Sequence, residues 1–148
     1  VEPARDRNLA ATIEDDFALR VVAEIRKTRK TPIQGVRIHG SGDFYDQAYL
    51  EKWFMVAGMC PDIHFKANTR SWMLDYTDKP DNLRLRYSID ITTKRDTIKV
   101  MEKKAEAFAY IQGSEPEGTM VCSGHCGFGE DECSFCYHHL NNITFPIH

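Results

Sequence analysis

Four cysteines fall within fifteen residues near the end of this chain: Cys122, Cys126, Cys133 and Cys136. Their spacing, C-x3-C-x6-C-x2-C, sets two close pairs on either side of a short glycine-containing loop. Two such pairs can converge on one centre. Four soft thiolates suit either tetrahedral zinc or a [4Fe–4S] cluster. The segment 119–148 is therefore expected to be a metal-binding segment within a single domain, 1–148. The alternative is a set of unliganded thiols or disulfides, and disulfides are uncommon in a reducing compartment. The first twelve residues lack the apolar core of a secretory signal, so a cytoplasmic setting is expected.

The intervening loop is acidic (Glu130, Asp131, Glu132), and Phe128, Phe135 and Tyr137 are interleaved with the cysteines. Aromatic cover shields a cluster and tunes its potential. Neither feature decides the metal; the six-residue loop is shorter than the separation zinc knuckles usually use, and an iron–sulfur cluster is expected, with zinc as the alternative. His125, His138 and His139 are available as substitute ligands, although a given histidine is more often a neighbour than a ligand. Cys60 precedes Pro61 outside the cluster spacing and reads as a small buried apolar residue.

The rest of the chain reads as alternating helices and strands. Ile13, Phe17, Val21 and Ile25 recur every four residues, so a helix is expected from an N-cap at Thr12, with Asp15 completing a capping box, to Pro32. Gly35–His39 is a strand, followed by the turn Gly40-Ser41-Gly42-Asp43. Helix 46–57 buries Tyr49, Leu50, Trp53, Phe54 and Ala57. Residues 62–67 and 83–89 are further strands, with a short helix at 71–76 between them. A helix at 96–104, a strand at 105–111 and a short strand at 120–122 complete the pattern. Arg84 and Arg86 alternate along one strand and share a face, expected to be solvated. Strands alternating with helices imply βα units and a mostly parallel sheet, hence an α/β fold. In such sheets ligands sit beyond the carboxyl ends of the strands, which selects the loops 40–43, 68–71 and 88–93. His39, Ser41, Asp43, Asn68 and Arg70 are the ligand-binding candidates there. Asp43 either holds a cationic group of a ligand or, like Ser41, caps the following helix.

The chain has 148 residues and a net charge of −3. That charge does not indicate nucleic acid as a partner. No run of about 18 apolar residues exists, so no membrane partner is expected.

The stretch Val36-Arg-Ile-His-Gly-Ser-Gly-Asp-Phe-Tyr-Asp-Gln-Ala-Tyr-Leu-Glu-Lys-Trp53 resembles the phage gene product 88 family, as does Pro61-Asp-Ile-His-Phe-Lys-Ala-Asn-Thr-Arg-Ser71. The cysteine segment with Ile143-Thr-Phe-Pro-Ile-His148 resembles that family's C-terminal block and closing histidine. The resemblance implies a partial-barrel fold similar to that of radical S-adenosylmethionine proteins. Gly40–Asp43 then looks like a variant of the glycine-acid element that holds the ligand's amino group in those enzymes. The chain departs from them in having no cysteine before Cys60. A cluster bound by all four C-terminal cysteines would also lack an open iron. The expectation is an iron–sulfur protein of phage origin in the host cytoplasm, in electron transfer or a redox-responsive auxiliary role, with an unknown redox or protein partner. The alternatives are a zinc-stabilised adaptor without catalysis, and a reduced radical-enzyme relative that binds a small ligand at the strand edge.

Overall fold

The structure, a computed structural model, describes residues 2–146. The closing histidine, His148, lies outside the described residues. Six strands form one sheet: β1 (Gly35–Arg37), β2 (His64–Thr69), β3 (Leu83–Ile89), β4 (Phe108–Ile111), β5 (Met120–Val121) and β6 (Ile143–Phe145). Their order is β1-β2-β3-β4-β6-β5 and every ladder is parallel, giving an open α/β half-barrel sheet. β6 inserts between β4 and β5, a strand that the sequence pattern did not indicate. The crossover from β5 to β6 contains all four clustered cysteines.

The helices are α1 (Glu2–Ile13), α2 (Phe17–Arg26), α3 (Gln47–Met59), α4 (Arg95–Met101) and α5 (Phe135–His138). Alternate strand residues point to opposite faces. Phe65, Ala67, Leu83, Leu85, Tyr87 and Ile89 form one core with Phe17 and Ile25 of α2 and Leu50, Trp53 and Phe54 of α3. Leu50, Phe65 and Leu83 are completely buried, and each such side chain contributes about 1.5–3 kcal/mol. Cys60 is buried in the same core. The residues between them, Lys66, Asn68, Arg84 and Arg86, face the other way.

Two local expectations fail for identifiable reasons. Thr12 does not start a helix. It ends one, its hydroxyl donating back to the Leu9 carbonyl. The Lys52 ammonium of α3 donates to the carbonyls of Thr12, Ile13 and Glu14 at 2.8, 2.9 and 2.8 Å. A cation at a helix C-terminus is favourable, and it closes α1 there. Ile13 is consequently 69% exposed, and the buried stripe begins at Phe17. Residues 71–76 form turns, not a helix. The Asp75 N–H is taken by the Gln47 side chain, which also donates to the Asp75 carbonyl, and the Ser71 hydroxyl donates to the Phe44 carbonyl. These bonds hold the segment against the start of α3 and replace helical ones.

The N-cap of α3 is Asp46, which accepts from the Tyr49 N–H at 2.8 Å. Asp46→Ala is expected to lower stability by about 1 kcal/mol, and Asp46→Asn to be nearly neutral, because Asn caps as well as Asp. Thermal or urea unfolding of the two variants checks this.

Candidate metal centre

The strand face opposite the helices is polar in sequence yet covered in structure. Arg86 is 1% exposed and Lys66 7% exposed. The Arg86 guanidinium donates to the carbonyls of Asn141 at 3.0 Å, Cys136 at 3.3 Å and His139. It thereby satisfies the end of α5, whose last carbonyls have no helical partner. The Lys66 ammonium lies 4.3 Å from the centre of the Tyr137 ring, a cation–π contact. The expected solvated face at Arg86 is thus the floor under the cysteine segment. The period-two pattern was right about which face Arg86 occupies, but the covering layer comes from residues 50 or more positions later.

The same segment is fastened at the β1 edge. Phe128 and Tyr137 pack closely at a tilt, with ring centroids 4.8 Å apart. They press on Gly35, where an added Cβ would overlap the Phe128 ring and crowd Tyr137. His64 and His138 meet edge to face at 4.4 Å beside them. Inside the loop, the Glu132 carboxylate folds back to accept from the Gly129 N–H at 2.8 Å and occupies the space a Cβ of Gly127 would need.

The four thiols gather within this frame. Cys122 continues β5, its N–H donating to the Thr144 carbonyl at 2.7 Å. A tight turn follows, with Gly124 at φ 82° and its N–H 3.4 Å from the Cys122 sulfur. Donation of this kind favours the thiolate. Cys122 and Cys126 sulfurs are 4.0 Å apart. Cys126 and Cys133 are paired through their backbones by Cys133 N–H to His125 carbonyl (2.5 Å) and Gly127 N–H to Cys133 carbonyl (3.2 Å). Cys136 opens α5 over Arg86, and with Cys122 and Ile143 it forms a second small core against which Cys126, Phe135 and Phe145 pack. No disulfide links them. Among the described residues, no three His, Cys, Asp or Glu side chains meet tightly enough to share one ion.

The electrostatics oppose one another. Burial pushes the Cys136 thiol up, Arg86 and Lys66 pull it down, and Cys126 and Cys133 push it up again. Burial raises Cys122, the Gly124 N–H lowers it, and Cys126 raises it. Burial depresses the basicity of Arg86 while Cys136 restores it. Neither Lys66 nor Arg86 has a carboxylate partner among the described residues. Arg37, Lys66, Asn68, Cys126 and Cys136 border a cavity of about 20 Å³ between floor and thiols.

The strand-edge candidates are spread over three places. His39 and Asp43 border an open groove between α1, α3 and the 40–43 turn, together with Ser41. His39 adopts φ 62°, and its Nε2 lies 3.0 Å from the Tyr49 hydroxyl. Asp43 accepts from the Phe44 N–H, the Thr69 hydroxyl and the Arg70 N–H, so both its oxygens bind the loops together, and α3 is capped elsewhere. Arg70 pairs with Asp90, whose carboxyl is lowered to about 2 by the Thr92 hydroxyl above all. Asn68 faces the cysteines instead. Lys66 and Arg86 were missed as site residues. Their signal was an alternation of cations with apolar residues on strands otherwise suited to full burial.

Arg86→Met removes the fork that holds three carbonyls. It should cost about 2–4 kcal/mol, since buried unsatisfied carbonyls cost about 1–3 kcal/mol each, and Arg86→Lys should recover little because Lys lacks the fork. Gly35→Ala should leave the helical core intact and speed hydrogen exchange selectively across residues 126–138. Denaturant titration and exchange mass spectrometry read the two effects.

Residues 1–139 match the family described as Gene product 88. The Gene 88 protein of Mycobacterium phage L5 is 32% identical over 123 residues, covering 79% of this chain and 50% of that protein. The chain thus spans half the length of this curated relative. No solved structure matches. Among the described residues, no helix is long and apolar enough to cross a membrane. With the match covering nearly its whole length, this chain belongs to the gene product 88 family.

Proposed function

We propose that this chain is an iron–sulfur protein whose four cysteines, Cys122, Cys126, Cys133 and Cys136, hold a [4Fe–4S] cluster. It serves electron transfer, or senses redox state, in the cytoplasm of the infected host, through a redox or protein partner. The observation that carries this reading is the pair of buried cations, Lys66 and Arg86, that both act on the Cys136 thiol and have no carboxylate partner among the described residues. A buried charge is costly unless an opposite charge meets it. Neutral thiols do not supply one. Thiolates ionised by a bound metal do, because ligation releases their protons and leaves a net negative centre. The Cys122 and Cys136 thiols are raised by burial and stay protonated without metal, so metal uptake, thiol ionisation and charge compensation of the floor form one event. Phe128, Phe135 and Tyr137 supply the apolar cover that limits water and tunes a cluster's potential.

Structural zinc is the second reading. The Cys122–Cys126 separation of 4.0 Å is close to the about 3.8 Å edge of a tetrahedron with metal–sulfur bonds of about 2.3 Å. In that case the metal contributes folding energy and the chain acts as an adaptor. A relationship to radical S-adenosylmethionine proteins is supported by the open parallel half-barrel. Against ligand binding by Asp43 stands the commitment of both its oxygens to neighbouring loops.

Protein purified without oxygen is expected to be brown, with broad absorption near about 400 nm that dithionite bleaches, as for thiolate-held clusters. Cys60→Ser should leave the metal content unchanged, because Cys60 is buried in the helical core. A colourless protein with stoichiometric zinc after anaerobic reconstitution would rule out the cluster and establish the zinc reading.

A further inference from the structure

The missing helix at 71–76 leaves a cavity on the other side of the sheet. Between the β2–β3 connection and the α4–β4 connection lies a pocket of about 300 Å³. Its floor is apolar, made by Leu74, Leu85, Ala105 and Ala107. In a regular βα unit the stripe of a crossover helix would fill this space. Here α4 ends at Met101 and residues 71–82 pass as turns.

Tyr87 projects into this pocket from β3. It is 3% exposed and lines the pocket beside Leu85 and Ala107. Tyr76 also lines it, its hydroxyl donating to the Ser71 carbonyl at 2.9 Å. A tyrosine in the lining of a largely apolar pocket gives it a polar group that can orient a ligand. Burial first, and then Glu106, push the Tyr87 phenol up to about 12, so it remains a donor. The rim carries charges of both signs. Lys79 pairs with Glu106 at 3.3 Å, and Lys104 acts on the Asp75 carboxyl across the mouth.

We infer that this pocket binds a free α-amino acid with an aromatic or branched apolar side chain, that side chain on the Leu74–Leu85 floor and the zwitterionic end at the rim near Tyr87. The volume is at the small end of ligand sites, which suits one residue-sized molecule. The balanced rim disfavours a ligand of net charge. A zwitterion offers a carboxylate to Lys104 and the Tyr87 hydroxyl and an ammonium to Asp75 or Glu106. This inference is independent of the metal centre, which lies on the opposite face.

Calorimetric titration of the purified full chain with L-leucine and L-phenylalanine tests it. Saturable binding is expected. Tyr87→Phe should weaken it about threefold to tenfold, the worth of one hydrogen bond. Ala105→Leu, confirmed as folded by its unfolding midpoint, should abolish it by filling the pocket. N-acetyl-L-leucine amide, which has the side chain without the charges, should bind far more weakly. No saturable binding up to roughly 10 mM, or binding that both substitutions leave unchanged, would overturn the site. Equal binding of the acetylated amide would overturn the zwitterion assignment.

Discussion

The cysteine segment depends on one buried guanidinium. Arg86 stands in the middle of the sheet, yet its partners are carbonyls of Cys136, His139 and Asn141, 50 to 55 residues further along the chain. Hydrogen bonds from a charged donor are worth about 1.5–3 kcal/mol each, so this residue positions the whole end of the β5–β6 crossover. It also imposes a demand. A cation so deeply placed, joined by Lys66, favours negative charge nearby. Cys136 is the thiol on which both cations act.

This demand explains why the sheet is asymmetric. On one face α2 and α3 bury an ordinary apolar core. On the other, cations, aromatic rings and thiols form a thin layer whose contacts are mostly polar or directed at glycine. Phe128 reaches β1 only because Gly35 carries no side chain, and the loop closes on Glu132 only because Gly127 carries none.

Much of the architecture was legible from periodicity. The alternation of strands and helices indicated a parallel α/β sheet because hydrophobic repeats of two and of about four residues are local properties. The four cysteines were legible for the same reason. What escaped was decided by distant residues. Lys52 ends α1 from forty positions away, and Gln47 diverts residues 71–76 from a helix. β6, three residues long, was not indicated by the pattern, yet its insertion beside β4 carries the cysteine crossover over the sheet. Arg86 could be assigned a face but not a covering partner. The strand-edge candidates were each correctly placed near carboxyl ends of strands, but Asp43 and Arg70 turn toward neighbouring loops, and Asn68 turns to the cysteines.

X-ray absorption at the iron and zinc edges of the anaerobically purified chain tests the central claim most directly. The account predicts an iron edge with sulfur neighbours at about 2.3 Å and an iron–iron scattering shell, lost when Cys122, Cys126, Cys133 or Cys136 is replaced by Ser. A first shell of nitrogen and oxygen, or the same spectrum in all four Ser variants, would contradict it.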